Sequence, residues 1–407
     1  MVATQAITLK KMRYRLRTAL GDSKKHYQHS DSTPIHGTGQ GSCASPALWL
    51  LISSILMDCL SELGGGMTIN DVNSQKSIMQ WIDGFVDDTS LFVNLLKTGN
   101  DPNDIQALHK HLKEDMIIWM ELLEASGGKL ELSKCFYYVL SWKFDAEGKA
   151  IATTIREQRK VSEEIKIQTC DSMFPVTIKQ KEVEDAHKTL GCYKTIEGNE
   201  KVEVKFLKGK SDKYGVSVKN ATFSRKEASM SFNGVYIPSM KYGLPSTSLT
   251  IENIDHIQKF AVDKFTSAIG YEHSIPRAVL FGPKDFGGVG LKHLFTEMMG
   301  MKIEVVIAHI RSGSTLGDLI TTNINYLQLL SGTDEPILAS TTNLKHLGTN
   351  WILHIRDYLM QINAQIEIKN LWKLSKQTSN DKFIMKDRKS TRLNSSHSIA
   401  SRMPSSA

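Results

Sequence analysis

Met79-Gln80-Trp81-Ile82-Asp83-Gly84-Phe85-Val86-Asp87-Asp88-Thr89-Ser90-Leu91-Phe92-Val93 sets two apolar runs, rich in β-branched and aromatic residues, around a pair of aspartates. The runs, Met79 to Val86 and Thr89 to Leu95, predict a β-hairpin with Asp87-Asp88 between its strands. Two like charges about 4 Å apart repel by roughly 4 kcal/mol at an effective dielectric near 20. A cation at the tip would remove that penalty. An all-oxygen pair suits Mg²⁺, which keeps several waters and substrate phosphates as its other ligands. Aspartate also favours turns, so the pair taken alone reads more readily as an ordinary hairpin turn.

Working upstream, Gly37, Gly39 and Gly41 precede a helix opened by Ser45-Pro46, with proline in the first turn where its missing N–H costs nothing. Gly64-Gly65-Gly66 stops that helix. Downstream, Ile105, Leu108, Leu112, Met116, Trp119, Leu122 and Leu123 recur at helical spacing and predict a helix over Asp104 to Ala125, ended by Gly127-Gly128. Short strands are expected over Leu130 to Leu132 and Phe136 to Phe144, the second turning at Asp145 to Gly148. Ile151 to Lys188 is charged and weakly alternating, as a linker or β-extension would be. Asn199 to Pro245 reads as mainly helical. Ile251 to Ile269 and Leu294 to Arg311 are amphipathic helices, and a helical pattern continues to about Leu374. Helix, hairpin, helix and strands in that order predict an α+β fold, a palm-like antiparallel sheet covered by helices.

The segment Gly37-Thr38-Gly39-Gln40-Gly41-Ser42-Cys43-Ala44-Ser45-Pro46, then a helix, then Phe85-Val86-Asp87-Asp88, resembles motifs B and C of reverse transcriptases, most closely those of non-LTR retrotransposons. The resemblance implies a two-metal RNA-directed DNA polymerase using Mg²⁺ or Mn²⁺, with RNA or DNA template, primer and dNTPs as partners. It implies that Gly39, Gln40, Gly41, Ser42 and Phe85 face the template base and incoming nucleotide, the glycines permitting close backbone approach. Asp87 would bind both ions and Asp88 would be the less critical partner. Gly127-Gly128 with Leu132-Ser133-Lys134 resembles motif D, making Lys134 a candidate proton donor to the leaving pyrophosphate; a solvated surface lysine is the plain alternative. Tyr138 to Gly148 occupies the place of the primer-grip hairpin, with Trp142 against the primer or, equally, packed in a core. Thr189-Leu190-Gly191 resembles the start of the thumb.

The implied organisation is a partial fingers and palm over 1–150, a linker or β-extension over 151–188, a thumb-like helical region over 189–250 and a helical C-terminal extension over 251–386. One departure from the family is marked. Its further metal-binding aspartate lies upstream of the glycines, where this sequence offers only Asp22 and Asp31, both in polar stretches without an apolar strand. The expectation is therefore an N-terminally truncated fragment that does not polymerise as given. A non-catalytic nucleic-acid-binding remnant is the alternative, and an unrelated α+β protein with a plain Asp-Asp turn is a third reading.

Composition sets the outer bounds. With 407 residues, 41% hydrophobic and 23% charged, the chain can hold two or more domains with sizeable cores. The formal net charge is +7, but Asp387 to Ala407 contributes Arg388, Lys389, Arg392 and Arg402 against Asp387 alone, leaving the rest mildly basic. Asp387 to His397 and Ser401 to Ala407 also resemble an in-frame translation of a sequencing adapter, so this tail is set apart from the fold. Five scattered cysteines form no C-x-x-C pair, which points to a reducing compartment and away from a disulfide framework or zinc knuckle. Ala44 to Leu60, interrupted by Ser45, Pro46, Ser53, Ser54 and Asp58, is expected to be a buried core helix rather than a membrane span. Arg13, Arg15 and Arg17 could meet phosphates or simply form a solvated face. Gly282 and Gly287 have P-loop spacing, but Gly288 and Val289 stand where Lys and Ser/Thr are needed.

Overall fold

Hydrophobic spacing places a long helix on each side of the Asp-Asp hairpin, and their contact organises the first part of the chain. The computed structural model describes residues 13, 15, 17–18, 21–26, 45–72, 76–95, 102–169, 173–348, 350–369 and 371–372. The chain divides into two compact units, one from residues 1–68 and 79–183, the other from 69–78 and 184–407.

The first unit is α+β. A short hairpin pairs β1 (Arg17–Thr18) with β2 (Gly21–Asp22). Helix α1 (Ser45–Leu63) begins at the expected Ser45-Pro46. Beyond its end Gly66 takes φ +64°, and the buried Asp115 carboxylate accepts the Gly65 and Gly66 N–H groups at 2.9 and 3.3 Å. Strand β3 (Met67–Asn70) pairs with β4 (Ser77–Gln80), and β5 (Ile82–Phe85) pairs antiparallel with β6 (Asp88–Leu91). The single strand expected over Met79 to Val86 is therefore interrupted at Trp81, because its two halves serve different partners. Helix α2 (Pro102–Ala125) presents Trp119 to Leu56 and Leu60 of α1. Its Met116 and Met120 pack on Leu132, Tyr137, Val139, Ile165, Ile167 and Ile178.

One expectation needs correction here. No strand forms over Leu130 to Leu132; instead Leu132–Lys134 is a 3₁₀ turn anchored by the buried Leu132. The stretch from Ile151, expected as a linker or β-extension, carries short strands, and its Ile165, Ile167 and Ile178 join this unit's core. After β7 (Phe136–Tyr137), β8 (Trp142–Phe144) and β9 (Ala150–Ala152) come the short helix α3 (Ile155–Gln158), β10 (Lys166–Ile167), β11 (Val176–Thr177) and β12 (Lys179–Gln180). Strand β12 returns to lie parallel with β7. The fully buried Gln158 ties these pieces together, its amide nitrogen donating to the Val139 carbonyl at 3.1 Å and its oxygen accepting from Gln180 at 2.6 Å.

Helix α1 also departs from the expectation of burial. Ser53, Leu56 and Leu60 are its buried residues, while Leu50 is 69% and Ile55 55% exposed. Among the described residues its partners are α2 and the hairpin, both on the face bearing Leu56 and Leu60. It is the one described helix long and apolar enough, by length and composition alone, to cross a membrane.

The second unit is mainly helical. Strands β13 (His187–Thr189) and β14 (Cys192–Lys194) form a tight hairpin whose turn residues Leu190 and Gly191 both have positive φ, +50° and +89°. Helix α4 (Lys201–Asn220) follows, then α5 (Arg225–Ser231), a π-helical turn Phe232–Tyr236, α6 (Ile237–Lys241) and α7 (Ile251–Ile269). Helices α4 and α7 approach closely at Gly215, where a Cβ would lie 2.5 Å from the Phe260 ring. Phe232, Tyr236 and Phe265 are fully buried with ring centroids 5.0–5.5 Å apart. The short helix α8 (Arg277–Leu280) leads to α9 (Leu294–Ser312), α10 (Thr315–Ser331) and α11 (Trp351–Gln361), which extend the same core. The 69–78 segment belongs here: Asp71 accepts from Asn325 at 3.1 Å and Lys76 pairs with Asp318.

Lys302 of α9 is fully buried with its ammonium 3.0 Å from Nδ1 of His354 on α11. Burial, reinforced by the Lys302 charge, holds the His354 imidazole down at about 4. The folded protein thus keeps His354 neutral where the unfolded chain, with an ordinary value near 6.5, takes up a proton. Stability from this residue is complete above about pH 6.5 and is lost as the pH falls toward 4, on the order of 2 kcal/mol in all. Urea titrations between pH 7 and 4.5 should show this slope, and His354→Phe should flatten it; an unchanged slope would discount the pair.

Candidate functional site

The β5–β6 register places Ile82 opposite Leu91 and Gly84 opposite Thr89 on one face of the hairpin. Asp83 opposite Ser90 and Phe85 opposite Asp88 occupy the other. The first face meets the helices. Ile82 and Leu91 pack beside Leu56, Leu60 and Trp119, and Gly84 lies under Met57, whose methyl would be 2.3 Å from a Cβ there. The second face is open, with Phe85 57% exposed.

Val86 and Asp87 form the two-residue turn between the strands. Hairpin twist demands a positive φ at the first turn position, a place usually filled by glycine. Val86 takes φ +58° there. A β-branched side chain in that region is strained by about 1–3 kcal/mol, and such strain persists only where the surroundings over-determine it. Here the surroundings include the Trp49 indole of α1, whose Nε1 donates to the Val86 carbonyl. Asp87 lies in the turn, whereas Asp88, expected between the strands, is the first residue of β6; the two are adjacent and exposed beside a backbone held by Trp49. Behind them Asp83 accepts from the Gln80 amide at 2.5 Å, and partial burial pushes its carboxyl above the usual range.

Lys134 sits exposed at the end of the 3₁₀ turn, and among the described residues no hydrogen bond or ion pair joins it to either aspartate. Trp142 is 47% and Phe144 63% exposed on one face of the antiparallel β8–β9 hairpin, so Trp142 is not a core residue. That hairpin turns on Asp145, whose carboxylate accepts the Glu147 and Lys149 N–H groups at 2.9 and 2.8 Å. Gly39, Gln40, Gly41 and Ser42 lie outside the described residues, as does Asp31. Asp22 is engaged on the surface by Arg17 at 2.8 Å, and Arg15 donates to His26. His109 is buried and His111 exposed, so they share no site.

Among the described residues, no group of three or more His, Cys, Asp or Glu side chains gathers as a metal site. Two adjacent carboxylates nonetheless fit Mg²⁺, which commonly takes one or two protein carboxylates and completes its shell with waters and phosphates. No protein-family model matches the chain, and no curated protein matches it.

Sequence reasoning missed Trp49, Gly84 and the strain at Val86. Gly84, an isolated glycine inside an apolar strand, was the available signal, since such a glycine often marks close approach by another element. Glycine at 86 would accept the turn's φ without strain while costing about 0.5–1 kcal/mol in chain entropy. Val86→Gly is expected to stabilise the first unit by about 1 kcal/mol, a rise of roughly 2–4 °C in its melting midpoint. A lowered midpoint would show that the turn is not strained.

Proposed function

We propose that this chain is the palm and thumb portion of an RNA-directed DNA polymerase of the non-LTR retroelement type. One observation carries the reading: Asp87 and Asp88 are displayed on a hairpin turn that keeps a valine at φ +58° and is pinned by Trp49. A turn serving only to reverse the chain would gain by having glycine at that position. Holding two carboxylates at a set height above a packed helix gives a reason to keep the strain.

Bound Mg²⁺ would supply activation of the primer 3′-hydroxyl and neutralisation of charge on the leaving pyrophosphate. The chain's own contribution is to hold Asp87 and Asp88 side by side as oxygen donors, with Phe85 opposite Asp88 on the open face where the nucleotide would lie. Trp142 and Phe144 offer an exposed aromatic surface for a primer strand. Lys134, an exposed flexible cation, is assigned the proton donation to pyrophosphate. The helices after residue 189 form the thumb and its extension, and template, primer and dNTPs are the partners.

A second reading, a nucleic-acid-binding remnant without catalysis, is favoured by one observation. Asp22, the one described carboxylate preceding the hairpin's helix, is committed to Arg17 rather than placed on an apolar strand. Primer extension on poly(rA)·oligo(dT) with Mg²⁺ separates the two. In a version of the protein that includes an upstream acidic strand, Asp87→Ala should abolish extension and Asp88→Ala should reduce it, with template–primer binding retained. Full activity in Asp87→Ala would sink the polymerase assignment; template–primer binding without extension in the unmutated version that carries the upstream acidic strand would establish the remnant.

A further inference from the structure

The glycine-rich segment between α8 and α9 is built as a rigid display for one aromatic ring. Pro283 leads into a 3₁₀ turn, Lys284–Phe286, closed by Gly287 at φ +81°. The Gly288 N–H donates to the Pro283 carbonyl at 3.0 Å and the Gly290 N–H to the Gly282 carbonyl at 2.9 Å. Val289 and Leu291 donate back to Val279 and Leu280 of α8 at 2.9 and 3.2 Å. The backbones are so close that a Cβ on Gly288 would lie 2.1 Å from the Gly282 carbonyl oxygen. Asn233, from the π-helical turn, then clamps the returning strand. Its Nδ2 donates to the Gly290 carbonyl at 3.2 Å and its Oδ1 accepts the Lys292 N–H at 3.1 Å. π-Helical turns are rare and frequently mark functional positions.

At the tip of this locked loop Phe286 is 89% exposed. Its chain neighbours are Lys284, Asp285, Gly287 and Gly288, none of them apolar side chains that could share a hydrophobic interface. A protein hot spot needs a surrounding ring of packed contacts, and membrane insertion needs a larger apolar set. A lone exposed aromatic face with a lysine two residues away suits base stacking. From 277 to 293 the cations are Arg277, Lys284 and Lys292 against the single carboxylate Asp285. Arg277 pairs with Asp255 at 2.5 Å and Lys292 lies 3.6 Å from Glu297, each while half-exposed. Lys284 has no ion pair among the described residues, and its stem lies along Gly290.

We propose that this loop is a contact for single-stranded nucleic acid, with Phe286 stacking on an unpaired base and Lys284 meeting an adjacent phosphate. Rigidity matters because a loop already ordered loses little entropy on binding. The identity of the partner rests on the polymerase reading; the placement of the ring does not.

The test is fluorescence anisotropy of the full chain with fluorescein-labelled 20-nucleotide oligo(dT), beside a labelled template–primer duplex. Phe286→Ala should weaken oligo(dT) binding about tenfold, within the range for loss of one base stack. Phe286→Leu should weaken it similarly, whereas Phe286→Trp should restore binding and show quenched indole fluorescence on addition of oligo(dT). Because Phe286 is almost fully exposed, melting midpoints of the three variants should match the parent. If the parent binds oligo(dT) and Phe286→Ala binds equally well, the stacking proposal falls while the polymerase reading stands. Full affinity in Phe286→Leu would mean plain apolar contact and would also overturn it. Failure of the parent to bind either oligo(dT) or the duplex would remove both.

Discussion

Helix α2 is buried on two sides at once, and the first unit depends on that. Trp119 closes against Leu56 and Leu60 of α1, while Met116 and Met120, close by on the same helix, meet the strand region around Ile165, Ile167 and Ile178. Removing a buried side chain of this size leaves a cavity and costs about 3–5 kcal/mol, enough to loosen α1 from the unit. The Asp-Asp turn inherits its position from that contact. Trp49, Leu56, Met57 and Leu60 of α1 meet the hairpin, so the placement of the carboxylates follows from how α1 sits on α2.

Helix α1 shows the same dependence from the other side. Its sequence is apolar nearly all round, yet the described partners cover only the face bearing Ser53, Leu56 and Leu60. Hydrophobic composition states that a surface is better removed from water; it does not state what removes it. In the helical unit the described helices supply one another's core partners. Phe232, Tyr236 and Phe265 fill the space between α7 and the π-helical turn, the Tyr236 hydroxyl bonding to Ser211 of α4 at 2.9 Å. The same π-helical turn aims Asn233 at the glycine-rich loop, so one local irregularity serves both the core and the loop's rigidity.

Regular elements were the most legible. The helix over Ile251 to Ile269 coincides with α7, where Thr250 and Asn253 form a capping box and Gly270 at φ +94° ends it. Leu294 to Arg311 is one residue short of α9. Local signals of this kind act within a few residues, so they can be read locally. The 151–183 stretch was opaque for the opposite reason. Its strands are two or three residues long, and Ile165, Ile167 and Ile178 matter through a cluster shared with Met116 and Met120 of α2 and with Leu132, Tyr137 and Val139, all earlier in the chain. Gln158 reads as a surface residue in a charged run, but its hydrogen bonds to Val139, Thr153 and Gln180 make it the joint of that subassembly.

At the site, sequence alone determined that the paired carboxylates fall at the tip of a hairpin, because apolar alternation and turn chemistry are properties of neighbouring residues; the turn itself is Val86–Asp87, one residue earlier than expected. It also marked the order of the glycine segment, the Asp-Asp hairpin, Lys134 and Trp142 along the chain. Tertiary structure decided what order could not. It put a strained valine under the aspartates and supplied Trp49 from another element to hold it. It turned Trp142 outward instead of into a core, and it committed Asp22 to Arg17. Each of these is a contact or an exposure between segments distant in sequence or facing solvent. No periodicity encodes them, because they are set by which surfaces find each other when the cores close.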